Sequence, residues 1–311
     1  MPADVDWSSA RVLVTGASGF IGTRLVETLV RGGAKVHASS RQAPAAAGEG
    51  LTWHTGDLSD AGVASAMVRS ARPDFVFHLA SRVTGSQDLA AVLPTLHANL
   101  ITTVNLLVAA TEHGKPRFVT AGSLVEPRDR SQGITPSSPY AAGKWASGDY
   151  LRMFHSLYGL PASVARIFMV YGPGQRDTTK LVPYTVLCAL RGEAPACGSG
   201  DRLVDWIYVD DVVEGLLALA ATSETAGTAV DLGSGVLVSI RDVTQEIIHQ
   251  VGSEVDPRFG ARPDPKMEPV VVADTEGTKR RIGWSPRVTM ADGLGRTISW
   301  YQERESVQRG A

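Results

Sequence analysis

The stretch Val12-Leu13-Val14-Thr15-Gly16-Ala17-Ser18-Gly19-Phe20-Ile21-Gly22 constrains this chain more than any other. A short apolar run leads into glycines at 16, 19 and 22, and Leu25, Val26, Leu29 and Val30 follow at helical spacing. Strand, glycine turn and helix in that order let a helix N-terminus and bare backbone N–H groups approach a pyrophosphate. A Cβ at the glycines would hold the phosphates away or block helix–strand packing. Three close glycines alone can be a plain turn. The strand before them and the helix after them point instead to a dinucleotide site built from Gly16, Ser18, Gly19, Phe20, Ile21 and Gly22.

The 311 residues suffice for a doubly wound parallel sheet and a smaller domain. Further strands are expected at 35–39, 51–55, 75–80, 117–120, 162–166 and 230–232. The run Phe75–Ala80 is apolar on both faces, as a central parallel strand covered by helices must be, and His78 within it reads as a core histidine. Ser59 is the expected N-cap of a helix through Met67. Leu89 to Glu112 is helical in pattern, with Pro94 delaying or breaking its start and Asn99 interrupting its apolar face. Ser138-Pro139, a cap followed by a first-turn proline, opens a helix carrying Tyr140 and Lys144. Residues 43–48 read as a flexible loop and 127–139 as an ordered loop over the site.

After Gly172 the composition shifts, and Asp205 to Val209 with the following helix is expected to return to the main body. Residues 1–171, with 204–236, then form the dinucleotide-binding domain, and 172–203 with 237–311 a smaller α/β substrate domain. A helix follows Ser239, and a last one lies around 294–301, with 302 onward frayed.

The formal net charge of −2 and the lack of a dense basic run argue against a nucleic-acid partner. No uninterrupted apolar stretch is long enough for a bilayer, and residues 1–7 lack the basic-then-apolar layout of an export signal, so no membrane partner and a cytoplasmic location are expected. Cys188 and Cys197 have no ligand partners at metal spacing and read as reduced thiols; no metal is expected.

At the end of the second strand, where NAD-preferring enzymes usually carry a carboxylate, stands Ser39-Ser40-Arg41. An arginine with neighbouring hydroxyls suits a 2′-phosphate, so NADP is favoured over NAD, a solvated surface arginine being the plain alternative. Asp57, at the next strand end, belongs to a turn or accepts from the adenine amino group.

Tyr140 and Lys144 lie four apart on one helix face. A phenol titrates near pH ~10, so acid–base work near neutrality asks for about 4 kcal/mol. An ammonium about 4 Å away at an effective dielectric of ~20 supplies about that energy. Ser123, at the exit of the preceding strand, can hydrogen-bond a substrate oxygen while Tyr140 gives or takes a proton.

Gly16–Gly22, His78-Leu79-Ala80, Tyr140-Ala141-Ala142-Gly143-Lys144, Arg166 through Tyr171-Gly172-Pro173, Asp205-Trp206-Ile207-Tyr208-Val209-Asp210-Asp211 and Gly283-Trp284-Ser285-Pro286-Arg287 resemble the extended short-chain dehydrogenase/reductase family, in its nucleotide-sugar epimerase/dehydratase branch. The resemblance runs in order along nearly the whole chain. It implies a Rossmann-type cofactor domain, a C-terminal substrate domain, and a catalytic pair of Tyr140 and Lys144, with Lys144 also on the nicotinamide ribose. It further implies that Asp57, Leu58, Leu79, Ala80 and Ser81 line the cofactor and that Asn99 lies near it. A homodimer built on the helices carrying Asn99 and Tyr140 is implied as well.

Departures from the pattern narrow the reaction. Dehydratases of this branch set acidic residues beside the catalytic hydroxyl, but Ser123 stands between Gly122 and Leu124, with Glu126 out of register; Ser123 itself is one place off the usual spacing. Met169 and Val204 replace the usual diphosphate-binding Asn and Arg, leaving Arg176 or Arg202 for that contact, or a substrate without a nucleotide. The expectation is an NAD(P)-dependent ketoreductase acting on a nucleotide-activated deoxysugar. An epimerase with retained NAD is the runner-up, and a non-catalytic dinucleotide sensor a third class.

Overall fold

The computed structural model describes residues 5–42, 48–126, 135–264, 267 and 269–310. Residues 43–47 of the first expected loop (43–48) and 127–134 of the second (127–139) lie outside the described residues. The first βα unit is β1 (Arg11–Thr15), the glycine turn and α1 (Phe20–Arg31), followed by β2 (Lys35–Ser40) and β3 (Leu51–Thr55). Next come α2 (Ala61–Ala71) and β4 (Phe75–His78). A helical run follows: α3 (Val92–Thr95) passes through a π-helical turn, Leu96–Ile101, into α4 (Thr102–Glu112). β5 (Arg117–Ser123), α5 (Pro139–Tyr158) and β6 (Ala162–Ile167) complete this series. Then come β7 (Met169–Tyr171), α6 (Leu181–Arg191), β8 (Leu203–Tyr208), α7 (Val209–Ala221) and β9 (Ala229–Leu232). The chain closes with β10 (Leu237–Ser239), α8 (Ile240–Val251), α9 (Thr275–Ile282) and α10 (Met290–Gly310).

Seven strands form one sheet in the order β3-β2-β1-β4-β5-β6-β9, every neighbouring pair parallel. This is a Rossmann-type doubly wound sheet, whose strand order reverses between β1 and β4. The chain divides into two compact units, the first taken from Met1–Ile167, Val213–Leu232 and Glu276–Trp284. Its core packs Leu13, Val76 and Phe118 of the sheet against Met67 and Val68 of α2, Leu106 and Leu107 of α4, and Leu151 and Phe154 of α5.

Local chemistry sets the element ends. Ser138 accepts from the Ala141 N–H at 3.2 Å, as the Ser-Pro start predicts, and Gly159 at φ +66° ends the same helix. The cap of α2 is Asp60, not Ser59, because its carboxylate accepts from two N–H groups, of Gly62 and Val63. Pro94 sits in α3, where its missing N–H costs no internal helix bond.

The run Leu89–Glu112 corrects the expectation that no segment could span a bilayer: it is long and apolar enough to do so by length and mean hydropathy. Leu106, Leu107, Ala109 and Ala110 nevertheless belong to the core of the first unit. Asn105 donates to the carbonyls of Leu58 and Ser59 at 3.0 and 2.9 Å, further anchoring the run as a core helix.

Arg117, at the start of β5, donates to the carbonyls of Leu219, Ala220, Thr222 and Pro161 and to the hydroxyls of Ser163 and Thr225. It thereby caps the end of α7 with a half-buried guanidinium.

The second unit comprises Phe168–Val212, Gly233–Thr275 and Ser285–Ala311. Its sheet has the order β10-β8-β7, with β7 parallel and β10 antiparallel to β8. The expected return of Asp205–Val209 to the main body is therefore corrected. β8 pairs with β7 and β10, and the chain rejoins the first unit only from Val213 and again at Glu276–Trp284. Asp205 is fully enclosed and accepts from the N–H groups of Ser234, Gly235 and Ala273 and from the Ser234 hydroxyl. The helix expected to fray after 302 continues to Gly310, with Arg191 paired to Glu305 at 2.9 Å.

Candidate active site

The glycine turn meets the geometric demand for a close backbone approach. Gly16 has φ +67°, and a Cβ there would lie 2.6 Å from the Ala80 nitrogen. A Cβ on Gly22 would collide with the Gly16 carbonyl. Gly19 begins α1 with no side-chain cap and no acidic residue in the first turn, so the positive end of the helix is neither capped nor neutralised by its own side chains. The turn after β1 and the Leu79-Ala80-Ser81 exit of β4 flank the reversal of strand order, where ligands of such sheets bind. This cradle fits a dinucleotide pyrophosphate.

The remaining cofactor candidates fall into three groups. Ser18 and Arg41 are exposed, Phe20 and Ile21 are half-buried in the first turn of α1, and the Ser40 hydroxyl donates to the Gln42 carbonyl. Asp57 is exposed; its carboxylate accepts from the Ser59 N–H at 2.9 Å, which, more than the nearby Arg41 charge, holds it below the usual range. Leu58 departs from expectation, because its side chain packs in the core and leaves only backbone to face a ligand. Asn99 departs too. Its Oδ1 accepts from the Arg82 N–H at 2.7 Å and the Ser81 hydroxyl at 3.1 Å, and its Nδ2 donates to the Arg82 carbonyl at 3.2 Å. Its side chain therefore holds the segment after β4 in shape.

Asn99 also links this segment to α5, where Ser147 donates to its carbonyl and a Cβ on Gly143 would touch its Cβ at 3.4 Å. One turn earlier on α5 stands Tyr140, close enough to the Ser123 hydroxyl for that group to lower its pKa. The Lys144 Nζ donates to the Ala121 carbonyl at 2.7 Å and lies 5.9 Å from the centre of the Tyr140 ring. The structure thus brings Ser123, Tyr140 and Lys144 together at the end of β5. His78 is outside this set: its two nitrogens meet Thr15 and Thr103 hydroxyls at 2.7 and 3.0 Å, and burial lowers its pKa to about 3.

The electrostatics differ from the expectation of a phenol made acidic by lysine. Burial pushes Tyr140 up to about 12, the Ser123 hydroxyl works against this, and the charge of Glu126 adds to it. Lys144, itself buried, is lowered by desolvation and raised by Glu126. The closeness of the two side chains was legible from spacing, but the desolvation that dominates both was not.

Glu126 is the residue that the linear register had set aside. A turn in which its N–H donates to the Ser123 carbonyl at 3.0 Å folds it back, so that its Oε1 accepts from the Ser123 N–H at 2.7 Å. Arg176 and Arg202 lie in the second unit, the first exposed ahead of α6, the second half-buried ahead of β8 with Asp264 as a nearby opposite charge.

A doubly wound sheet with a glycine cradle at its switch point and a Tyr–Lys pair on the helix after β5 defines a class: Rossmann-type, dinucleotide-dependent enzymes. Residues 12–233 match the model of the NAD dependent epimerase/dehydratase family. The chain is 29% identical to the UDP-glucose 4-epimerase of Mycolicibacterium smegmatis, over 94% of this chain and 99% of that one. It is 31% identical to a dTDP-glucose 4,6-dehydratase of Streptomyces griseus, over 96% of each. The solved structure of WbmF from Bordetella bronchiseptica in complex with NAD+ superposes with a TM-score of 0.83 at 26% identity, covering 97% of this chain and 95% of that one. The chain belongs to the NAD dependent epimerase/dehydratase family.

Proposed function

We propose that this protein transfers a hydride between a nicotinamide dinucleotide and a secondary alcohol or ketone of a nucleotide-activated sugar. The observation that supports this reading is the Ser123–Tyr140–Lys144 cluster, linked through Asn99 and the Ser81–Arg82 segment to the glycine turn of the same unit. When bound, the dinucleotide supplies the hydride donor or acceptor and, in its oxidised form, a positive ring charge. Gly16, Gly19, Gly22 and the first-turn N–H groups of α1 hold its pyrophosphate, Asp57 its adenine, and Lys144 its nicotinamide ribose. Ser123 hydrogen-bonds the substrate oxygen and Tyr140 moves the proton. Arg176 or Arg202 supplies positive charge to the substrate diphosphate.

Net reduction of a ketone is the reading that the phenol supports. A phenol is protonated at neutral pH and burial raises Tyr140 further, which favours donating a proton to a reduced ketone over abstracting one from an alcohol. Ser40 and Arg41 in place of a carboxylate support NADP, whereas the family and the NAD+ complex of WbmF support NAD. The epimerase relative supports a second reading, in which one retained NAD oxidises and re-reduces the same carbon. A homodimer is supported by exposed Leu89, Leu93, Val108, Tyr150 and Leu157 on the helical run 89–112 and on α5.

The test uses UDP- and dTDP-linked hexoses and their keto derivatives. Stoichiometric loss of added NADPH or NADH absorbance supports the reductase, and turnover without added cofactor the epimerase. Tyr140→Phe is expected to cut turnover by about 10²–10⁴-fold while dinucleotide affinity holds. Unchanged turnover in that variant refutes the reading and favours a dinucleotide sensor.

A further inference from the structure

Glu126 is 8% exposed and folds back against Ser123 of the Ser123–Tyr140–Lys144 cluster. Its Oε1 takes the Ser123 N–H at 2.7 Å. Gly122 makes room for it, since a Cβ there would lie 2.5 Å from Oε1, and Gly148 on α5 faces Oε2. The carboxyl group is thus held between the end of β5 and the third turn of α5. Burial pushes this carboxyl up to about 7, against the Ser123 N–H and the charges of Arg166 on β6 and of Lys144 and Arg152 on α5. Arg152 already pairs with Asp149, and Arg166 pairs at 2.8 Å with Asp231 on β9. Lys144 has no carboxylate within ion-pair distance among the described residues, and its Nζ rests on the neutral Ala121 carbonyl. The other titratable groups facing this set are Tyr140 on α5 and His78 on β4, which burial keeps neutral.

We propose that Glu126 is a positioning residue for the Tyr140–Lys144 pair. It fixes the Ser123 backbone through its N–H bond and supplies the buried negative charge that keeps Lys144 protonated. A buried ammonium resting on a carbonyl alone loses its proton readily, because desolvation penalises the charged form. A carboxylate enclosed nearby offsets that penalty. Arg166 and Arg152 each have an aspartate as well, whereas the Lys144 Nζ meets only a neutral carbonyl, so loss of the Glu126 charge is felt most at Lys144. This assignment rests on the reading of Tyr140 and Lys144 under the proposed function, but its test does not require turnover.

The chain contains six lysines, so protein carrying 13C at the lysine ε-carbon allows each to be titrated by NMR, with Lys144 assigned from Lys144→Arg. Glu126→Gln keeps an acceptor for the Ser123 N–H and removes the charge. The Lys144 titration is expected to move down by about one pH unit in this variant. With a substrate in hand, the alkaline limb of kcat is expected to move with it while KM stays. An unmoved Lys144 titration overturns the proposal, as does a fall in kcat with an unmoved alkaline limb, which would mark a purely structural residue. If Glu126→Gln does not fold, the wild type decides: the Lys144 resonance is expected to titrate in two steps, the first reporting Glu126. A single step overturns the proposal. Absence of turnover with every sugar nucleotide, together with the expected NMR shift, refutes the substrate reading and leaves this one standing.

Discussion

Asn99→Ala removes three hydrogen bonds that hold the segment after β4: two accepted by Oδ1 at 2.7 and 3.1 Å and one donated by Nδ2 at 3.2 Å. A typical buried hydrogen bond contributes about 1 kcal/mol net, which puts the upper bound for three at about 3 kcal/mol. Ser81 is half-buried and Arg82 exposed, so water recovers part of this, and a loss of about 2 kcal/mol is expected. The freed segment adjoins Ala80, whose backbone crowds Gly16. A dinucleotide must then restore the order itself, and 2 kcal/mol corresponds to an affinity about 30-fold weaker. Urea denaturation measures the first effect and calorimetric titration with NAD and NADP the second. Asn99→Asp keeps both accepted bonds and loses the donated one, and should fall between wild type and alanine. If Asn99→Ala loses stability but binds the dinucleotide within about twofold of wild type, the segment does not shape the cofactor site. If stability is also unchanged, the three bonds carry no net energy.

Gly16→Ala puts a Cβ 2.6 Å from the Ala80 nitrogen and an L-residue at φ +67°. It should abolish dinucleotide binding in calorimetry while circular dichroism stays native, the left-handed backbone alone costing about 1–2 kcal/mol. His78 has a folded pKa of about 3, below its unfolded value of 6.5, so the unfolded chain binds the extra proton between those values. Its contribution to stability is complete above pH ~6.5 and is lost as pH falls toward ~3, by about 5 kcal/mol in all. Denaturation curves across that range should show a shallower acid loss in His78→Gln than in wild type.

Much of the first unit was legible because its signals are local. The glycine turn, the two-faced apolar run at Phe75 and the Ser138-Pro139 start each carry their reason within a few residues. β8 was misplaced because an apolar run such as Leu203–Tyr208 looks the same in either sheet, and only its long-range pairing with β7 and β10 decides. α9 was missed for the opposite reason: Lys279, Arg280 and Arg281 hide a helix whose buried side is only Gly277, Thr278 and Ile282. At the site, spacing revealed Tyr140 and Lys144 but not their desolvation. Glu126 escaped because a turn brings back a residue that counting along the chain had moved away.

Arg117 has a consequence for synthesis on the ribosome. Its acceptors at Leu219, Ala220, Thr222 and Thr225 emerge about a hundred residues after it does. Until then β6 lacks its neighbour β9, and the guanidinium has only Pro161 and Ser163 to bond. A nascent chain halted before residue 213 therefore carries a naked sheet edge beside a half-satisfied cation, a state that invites chaperone capture or aberrant strand pairing.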